Sequence, residues 1–485
     1  MLRSSRIAAE TLTSPGAPKT VAIVGGGLAG ISAAAALTQS GFVVDLIEKR
    51  PLLGGRASSH TDSETGDRID ECQHGTMRCC TALSDLLTRL GVYDKIDWHE
   101  SLHFLDGNGV QSSISNCGLP APGHTSISFL RFRSLSMVDK IAISRAMLAM
   151  LRSAPSKKWE EETIGDWFVR MKQTPRAIQR FWAPILVSTC NETIDRISCT
   201  HAFKIFREGF LLNAVAYQFG VPKLPLATLY SDPAQALIER AGGKVRVKAI
   251  ADRILFDDDS KDTIRGIALT TGEVVEADHY ILALQCDLLM KLMPKELTDG
   301  IEYWQNIRSI ELSPIVAVHL WFEGKVECPP ALALLDRQTE WVFNKNLNYG
   351  LDNSKTTYLS ALISASHRYR DVPNQKILEV VLSDLRHSLP GLANSRLKRS
   401  KVIKWPKATF SPLPGVERLR PIQKSPISNL YVAGEWTSTG WPSTMESAVR
   451  SGYLAAEYIL EHAGMPAKLI PADLPVGAIA RLLSR

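Results

Sequence analysis

The chain lacks a strong charge of either sign. Its 56 Lys and Arg against 50 Asp and Glu leave +6 over 485 residues, too dilute for a nucleic-acid-binding face. Cysteine is sparse as well. None of the 8 cysteines forms a CxxC pair or joins histidines at zinc-ligand spacing, which excludes a zinc ribbon or dithiol motif and leaves no metal site expected. They are expected as reduced thiols in a cytoplasmic protein. There is no internal repeat and no low-complexity segment, which excludes a solenoid. One uncharged run, Thr20 to Val44, is long enough to cross a bilayer, but Gly25, Gly26, Gly27, Gly30 and Gly41 interrupt it. It reads as strand, glycine turn, helix and strand, neither a transmembrane helix nor a signal segment.

What is present is ordinary globular composition, 45% hydrophobic and 22% charged, with length for two or three domains. Val21–Val24 is a short apolar run, as a strand buried on both faces should be. An Ala-rich helix follows over Ile31 to Leu37, then a second strand over Phe42 to Ile47. Further α/β patterns lie at 226–300, with strands at Lys244–Ile250 and Tyr280–Leu284, and at 426–463, with a strand at Leu430–Ala433 and a helix at Met445–Leu460. The expected class is α/β: a Rossmann-like dinucleotide-binding domain built from discontinuous segments 19–75, 226–300 and 406–463. An inserted α+β substrate domain takes 76–225, mostly helical, and 301–405. Residues 1–18 are expected as a flexible extension and 464–485 as a C-terminal tail.

Three motifs carry the dinucleotide reading. Gly25-Gly26-Gly27-Leu28-Ala29-Gly30 is G-x-G-x-x-G between a strand and a helix, the context in which glycines and helix N–H groups cradle a pyrophosphate. Glu48 ends the second strand, and a carboxylate there accepts from ribose hydroxyls and repels a 2′-phosphate. Gly54-Gly55-Arg56 offers a second close approach and a phosphate-pairing cation. Third, Ala433-Gly434-Glu435-Trp436 follows a buried strand. Glu435 is placed to bond a ribityl hydroxyl, and the helix opening by Met445 to face a flavin ring edge. Lys49 and Val247 complete the expected cofactor contacts.

These elements resemble the FAD-dependent amine oxidase and phytoene desaturase superfamily, some members of which bind prenylated proteins without flavin. Within it the chain resembles the squalene-associated FAD-dependent desaturases, the hydroxysqualene dehydroxylases. The resembling segments are Asp70-Glu71-Cys72-Gln73-His74 with Cys79-Cys80, Phe181 to Ser188 with Asn191-Glu192, Val221 to Leu226, His319 to Phe322, and Glu435 to Glu446. Glu71 stands where that pattern carries Asn, Glu435 where it carries Asp, and Ser447 where it carries Gly.

The resemblance implies bound FAD and reduction of hydroxysqualene, an allylic alcohol, to squalene. Hydroxide leaves poorly, so a general acid is needed. His74 is the first candidate, with Asp70 and Glu71 as orienting partners or alternatives; if 69–74 is a strand, Asp70, Cys72 and His74 share one face. Trp182, Trp321 and Phe322 are candidates to face a developing cation, or are plain core. The alternatives are a carotenoid-type desaturase, then an amine oxidase, then a non-catalytic prenyl-lipid carrier. The implied partners are a C30 isoprenoid and neighbouring squalene-pathway synthases. The location is the cytoplasmic membrane face. Three segments could touch lipid: the helix at 139–152 through Ile143, Met147 and Met150, which reads more readily as core-facing, the basic run 386–407, which reads equally as a solvated face, and the tail.

Overall fold

The computed structural model describes residues 19–153, 156–257, 262–352 and 354–484; the extension expected over 1–18 lies outside them. A five-stranded parallel sheet runs in the order 244–247, 43–48, 20–24, 279–282, 430–432. Val21–Val24 is buried throughout at its centre, as the unbroken apolar run requires. Helix Leu28–Gln39 crosses one face, buried almost end to end. Its alanines let helix Met445–His462 lie close: a Cβ on Gly452 would meet the Ala29 carbonyl and Ser32 Oγ, each at 2.1 Å. The expected transmembrane mimic is thus strand, turn, helix and strand.

A second, seven-stranded sheet runs in the order 397–410, 312–323, 356–363, 341–344, 331–334, 101–105, 111–115. All its pairings are antiparallel except 331–334 with 101–105. It therefore draws on both segments of the expected inserted domain. Strand Leu397–Phe410 runs unbroken across the expected boundary at 405/406. Helices from 126 to 212 build a third layer, whose core gathers Phe168, Phe181, Trp182, Phe203 and Phe206.

Local chemistry explains several element ends. The strand expected to reach Ile250 stops at Val247, because Lys248 turns into the left-handed region (φ 55). Helix Met137–Arg152 opens on a capping box between Ser136 and Asp139, which satisfies two N–H groups that helix geometry leaves bare. No helix among the described residues is long and apolar enough to cross a membrane.

Candidate active site

At the C-terminal edge of the parallel sheet, the turn after Val24 borders a groove of about 260 Å³. Gly25 holds φ +110, and a Cβ there would sit 2.3 Å from the Ala283 carbonyl. Gly30 admits no Cβ either, since one would lie 1.9 Å from the Gly25 carbonyl. Gly27 differs: a Cβ there meets nothing within 4 Å and would project into open space. Gly27 lines the groove with Gly25, Leu28 and Ala29. Glu48 is buried, its two oxygens accepting from the Gly26 and Arg50 N–H groups at 2.7 and 2.8 Å. Each oxygen keeps a lone pair for a sugar hydroxyl. An open cradle beside free helix N–H groups, with an acid at its rim, fits a dinucleotide.

Two expectations for this groove change. Arg56 and Glu435 both line it, but they face each other: Arg56 forks onto both oxygens of Glu435, with Nη1 at 2.8 Å from Oε1. Glu435 thus orients the guanidinium across the groove in place of reaching outward. Val247 stands in register with Glu48 on the edge strand and is not among the groove-lining residues. Lys49, Gly54, Gly55, Gly434 and Met445 all line it. The Gly54-Gly55 turn docks directly on the phosphate loop, with the Gly54 N–H donating to the Gly26 carbonyl at 2.7 Å.

A second cavity, of about 270 Å³, lies between the helical layer and the seven-stranded sheet. Ile185, Ile205, Phe219, Phe343 and Trp441 make most of its wall apolar. It meets the groove at His74, Thr409, Ser443, Thr444 and Met445, which line both spaces. Three of these are polar groups with free capacity. His74 Nδ1 lies 3.0 Å from the Cys72 carbonyl. A carbonyl only accepts, so Nδ1 carries the proton and Nε2 the lone pair. Burial holds the His74 imidazole below its ordinary pKa, despite the Cys72 carbonyl and Asp70, while Arg56 and Lys345 push it the same way as burial. Thr409 Oγ1 accepts from Asn191 Nδ2 at 2.9 Å, and among the described residues nothing takes its own proton. Ser443 Oγ is buried with no partner among the described residues.

Asp70 and Glu71 are not part of this cluster. The strand ends at Asp70, so the alternation that would put Asp70 and His74 on one face does not continue. Asp70 is fully buried, with Oδ1 accepting from Ser59 Oγ (2.8 Å) and the Leu226 N–H (2.9 Å) and Oδ2 from Lys345 Nζ (2.8 Å) and the Tyr349 hydroxyl. Burial alone would raise its pKa, but Lys345 and these hydrogen bonds outweigh it and hold the carboxyl low. Glu71 turns the other way, toward Arg50 (3.7 Å) and His60 (3.6 Å).

The three predicted aromatics are also elsewhere. Trp182 is core, its Nε1 donating to Gln173 Oε1 at 2.8 Å. Phe322 is buried in the core beside the seven-stranded sheet. Trp321 stacks on Tyr358 at 4.4 Å with Arg399 over its other face at 4.6 Å. None lines either cavity; Trp341, Phe343, Phe219 and Trp441 do.

Sequence reasoning missed Thr409, Ser443 and Arg420. Ser443 sits inside the quoted Glu435–Glu446 motif, which was its one signal. Arg420 has none. Its buried side chain donates to the Glu435 (3.1 Å) and Thr437 (2.6 Å) carbonyls, fixing the loop that carries Glu435. Glu446, at the start of the 445–462 helix, accepts from the N–H groups of Ala82 (3.0 Å) and Leu83 (2.8 Å) and from Arg450. It thereby clamps the cavity wall at Cys79-Cys80.

The family described as flavin containing amine oxidoreductase matches residues 28–460. Among curated relatives, the chain is 26% identical to a chloroplastic/chromoplastic zeta-carotene desaturase of Arabidopsis thaliana, over 93% of this chain and 87% of that protein. It is 24% identical to a 15-cis-phytoene desaturase of Glycine max, over 92% and 80%. Among solved structures it superposes on an oxidoreductase from Methanosarcina mazei with a TM-score of 0.69 at 16% identity, covering 91% of this chain and 100% of that one. Cyclohexylamine oxidase from Brevibacterium oxydans gives a TM-score of 0.64 at 18% identity, covering 92% and 100%. These likenesses establish the fold.

Proposed function

The chain belongs to the flavin-containing amine oxidoreductase family and is an FAD-dependent oxidoreductase; on that premise we propose that it reduces hydroxysqualene to squalene. The observation that carries this reading is the junction. An apolar cavity ends, against the dinucleotide groove, in a lone-pair nitrogen, a free hydroxyl proton and an unpartnered serine. A pure hydrocarbon has nothing to pair with these groups, and burying them unpaired is costly. An alcohol oxygen at the reacting carbon satisfies them.

In the reaction the C–O bond breaks with its electron pair leaving on oxygen, which takes a proton and departs as water, while the carbon takes a hydride. Bound FAD, when reduced, supplies that hydride. Gly25, Gly27 and the free N–H groups opening helix Leu28–Gln39 would hold its pyrophosphate, and Glu48 would hold a ribose. Thr409 donates to the substrate oxygen while one of its own lone pairs accepts from Asn191. His74, once protonated, holds the transferable proton at Nε2, and burial makes it ready to give that proton up. Phe219, Trp341 and Phe343 give the cavity an aromatic wall, whereas the Trp441 ring already carries Lys204 and Arg450 over it, at 4.8 and 5.1 Å.

The substrate partitions into lipid, and the protein carries a face for it. Leu130, Met137, Val138, Ile141 and Leu148 are exposed together, with Ile479 and Leu482 of the adjoining tail helix. Arg131, Arg133 and Arg145 flank them, all exposed. This is the opposite side of helix 137–152 from the one expected; Ile143 and Met150 are buried. The basic run is largely engaged internally, with Arg399 and Lys401 on Asp62 and Lys407 on Asp287. We therefore place the protein peripherally on the cytoplasmic membrane face through the 130–148 surface. Neighbouring synthases of the squalene pathway would supply the alcohol.

The carotene-desaturase relatives favour a second reading, in which an isoprenoid loses hydride to the cofactor. An anaerobic single turnover separates the two. Photoreduced protein mixed with hydroxysqualene should reoxidise its flavin and release stoichiometric squalene. Flavin that stays reduced, together with flavin reduction by a carotenoid precursor, would overturn the dehydroxylase reading.

A further inference from the structure

The helical layer encloses a second apolar space. It holds about 310 Å³ and lies under the exposed 130–148 face, walled by Ile114, Phe129, Met147, Leu148 and Phe181. Leu148 belongs both to this wall and to the exposed apolar face, so the space opens where lipid would lie. Its inner wall is Phe210, which also lines the cavity that meets the groove. One ring thus stands between the two.

Phe210 is held in an unusual way. Arg207–Leu211 is a turn of π-helix, a widened turn that is rare and recurs at functional sites. The other π-helical turn among the described residues, Ile178–Trp182, places Phe181 in the wall of the same space. Arg207 anchors the first turn by donating to the carbonyls of Met150 (2.7 Å) and Leu151 (2.8 Å) at the end of helix 137–152. The partition ring and the lipid-facing helix are therefore fastened together.

We propose that the outer space is a second hydrocarbon compartment that takes the far arm of a C30 isoprenoid, and that Phe210 is the partition setting how long a chain the protein accepts. The proposal rests on an isoprenoid substrate, as argued above, but not on the reaction. A hydroxyl in the middle of a C30 chain leaves two long arms. The inner cavity, about 270 Å³, already meets the groove on one side, and the outer space adds a comparable 310 Å³ beyond Phe210 for the second arm.

The test is binding, without turnover, of squalene (C30) and farnesene (C15) to the flavin-loaded protein in mild detergent, read by calorimetry. Leu148→Trp fills the outer space from its exposed rim, and Phe210→Trp seals the partition. In both variants squalene should bind at least about tenfold more weakly, while farnesene binding stays within about twofold of the parent. Flavin content and melting temperature confirm that each variant is folded. Equal effects on the two ligands in Leu148→Trp, or no effect on either, would overturn the compartment, as would a parent protein that binds neither hydrocarbon. A retained C30/C15 split in a protein that fails to turn over hydroxysqualene would refute the proposed reaction and leave the compartment standing.

Discussion

The dinucleotide groove and the inner cavity share a wall at His74, Thr409, Ser443 and Met445, yet they are built in opposite ways. The groove is made of backbone. Its key positions are glycines whose missing Cβ leaves room, and most come from two short stretches, 25–30 and 48–56. The cavity is made of side chains from more than ten separate stretches between Cys72 and Glu446. A backbone site tolerates little variation in residue type, because only glycine adopts those angles and admits that approach. A side-chain site depends on which strands happen to face each other. Substitutions should therefore act on the two regions in separable ways.

The largest effect should come from the groove, with a contrast inside one loop. Gly27→Val places its side chain in open space, so the protein should fold and melt like the flavin-stripped parent yet purify without a flavin absorbance band. Gly30→Val instead drives a side chain into the Gly25 carbonyl and should abolish soluble protein. Flavin bound normally to Gly27→Val would break the assignment of the loop.

Next in size is the junction, where His74 and Asp70 should part company. His74→Gln should keep its flavin and lose about 10²-fold or more in turnover. The proposed reaction draws its proton from the protonated His74 imidazole, and burial lowers that group's pKa. Turnover should then fall as pH rises, along a limb lying below the ordinary histidine value, and His74→Gln should lack that limb. Asp70→Asn acts on stability instead. It leaves the buried Lys345 ammonium without its counter-charge, at a cost of about 3 kcal/mol, read as a lower denaturant midpoint. The folded fraction should keep its turnover number. A large loss of turnover at unchanged stability would return Asp70 to the chemistry.

The same contrast decides what the sequence could reveal. The five strands of the parallel sheet, the Gly25–Gly30 turn and Glu48 were legible, because apolar runs and glycine spacing are local signals. Helix 445–462 was placed to within two residues of its end for the same reason. His74 was reachable through its motif, but its orienting partner was not. That partner is the Cys72 carbonyl, and a carbonyl leaves no mark in a sequence. Trp182 and Phe322 take the core reading that their sequence leaves open beside the cation-facing one, because an aromatic reads the same whether it faces a core or a cavity. The Ile143–Met150 side of helix 137–152 takes the core-facing reading and not the lipid-facing one; the sequence leaves both open because both sides carry apolar residues, Ile143 and Met150 on one, Val138 and Ile141 on the other. Tertiary packing selects which is buried: Ile143 and Met150 join the core of the helical layer with Phe168 and Trp182.

The smallest effect is also the most discriminating, and it falls on Thr409. Asn191 sits in the left-handed region (φ 52) at the end of helix Ala183–Cys190. Its amide is held there, with Oδ1 accepting the Ala365 N–H at 2.8 Å and Nδ2 donating to Thr409 Oγ1. That bond takes one of the threonine oxygen's two lone pairs and leaves its proton available to whatever occupies the junction. Thr409→Val keeps the shape and removes the donor. If the substrate carries oxygen there, kcat/KM for hydroxysqualene should drop about fivefold, as one neutral hydrogen bond is worth about 1 kcal/mol. Binding of squalene, which has no oxygen to accept from the threonine, should change by less than about twofold. A hydrocarbon substrate predicts the reverse order, with Thr409→Val neutral or improved in turnover. The sign of a modest change at one hydroxyl thus separates a cavity made for an alcohol from one made for a polyene.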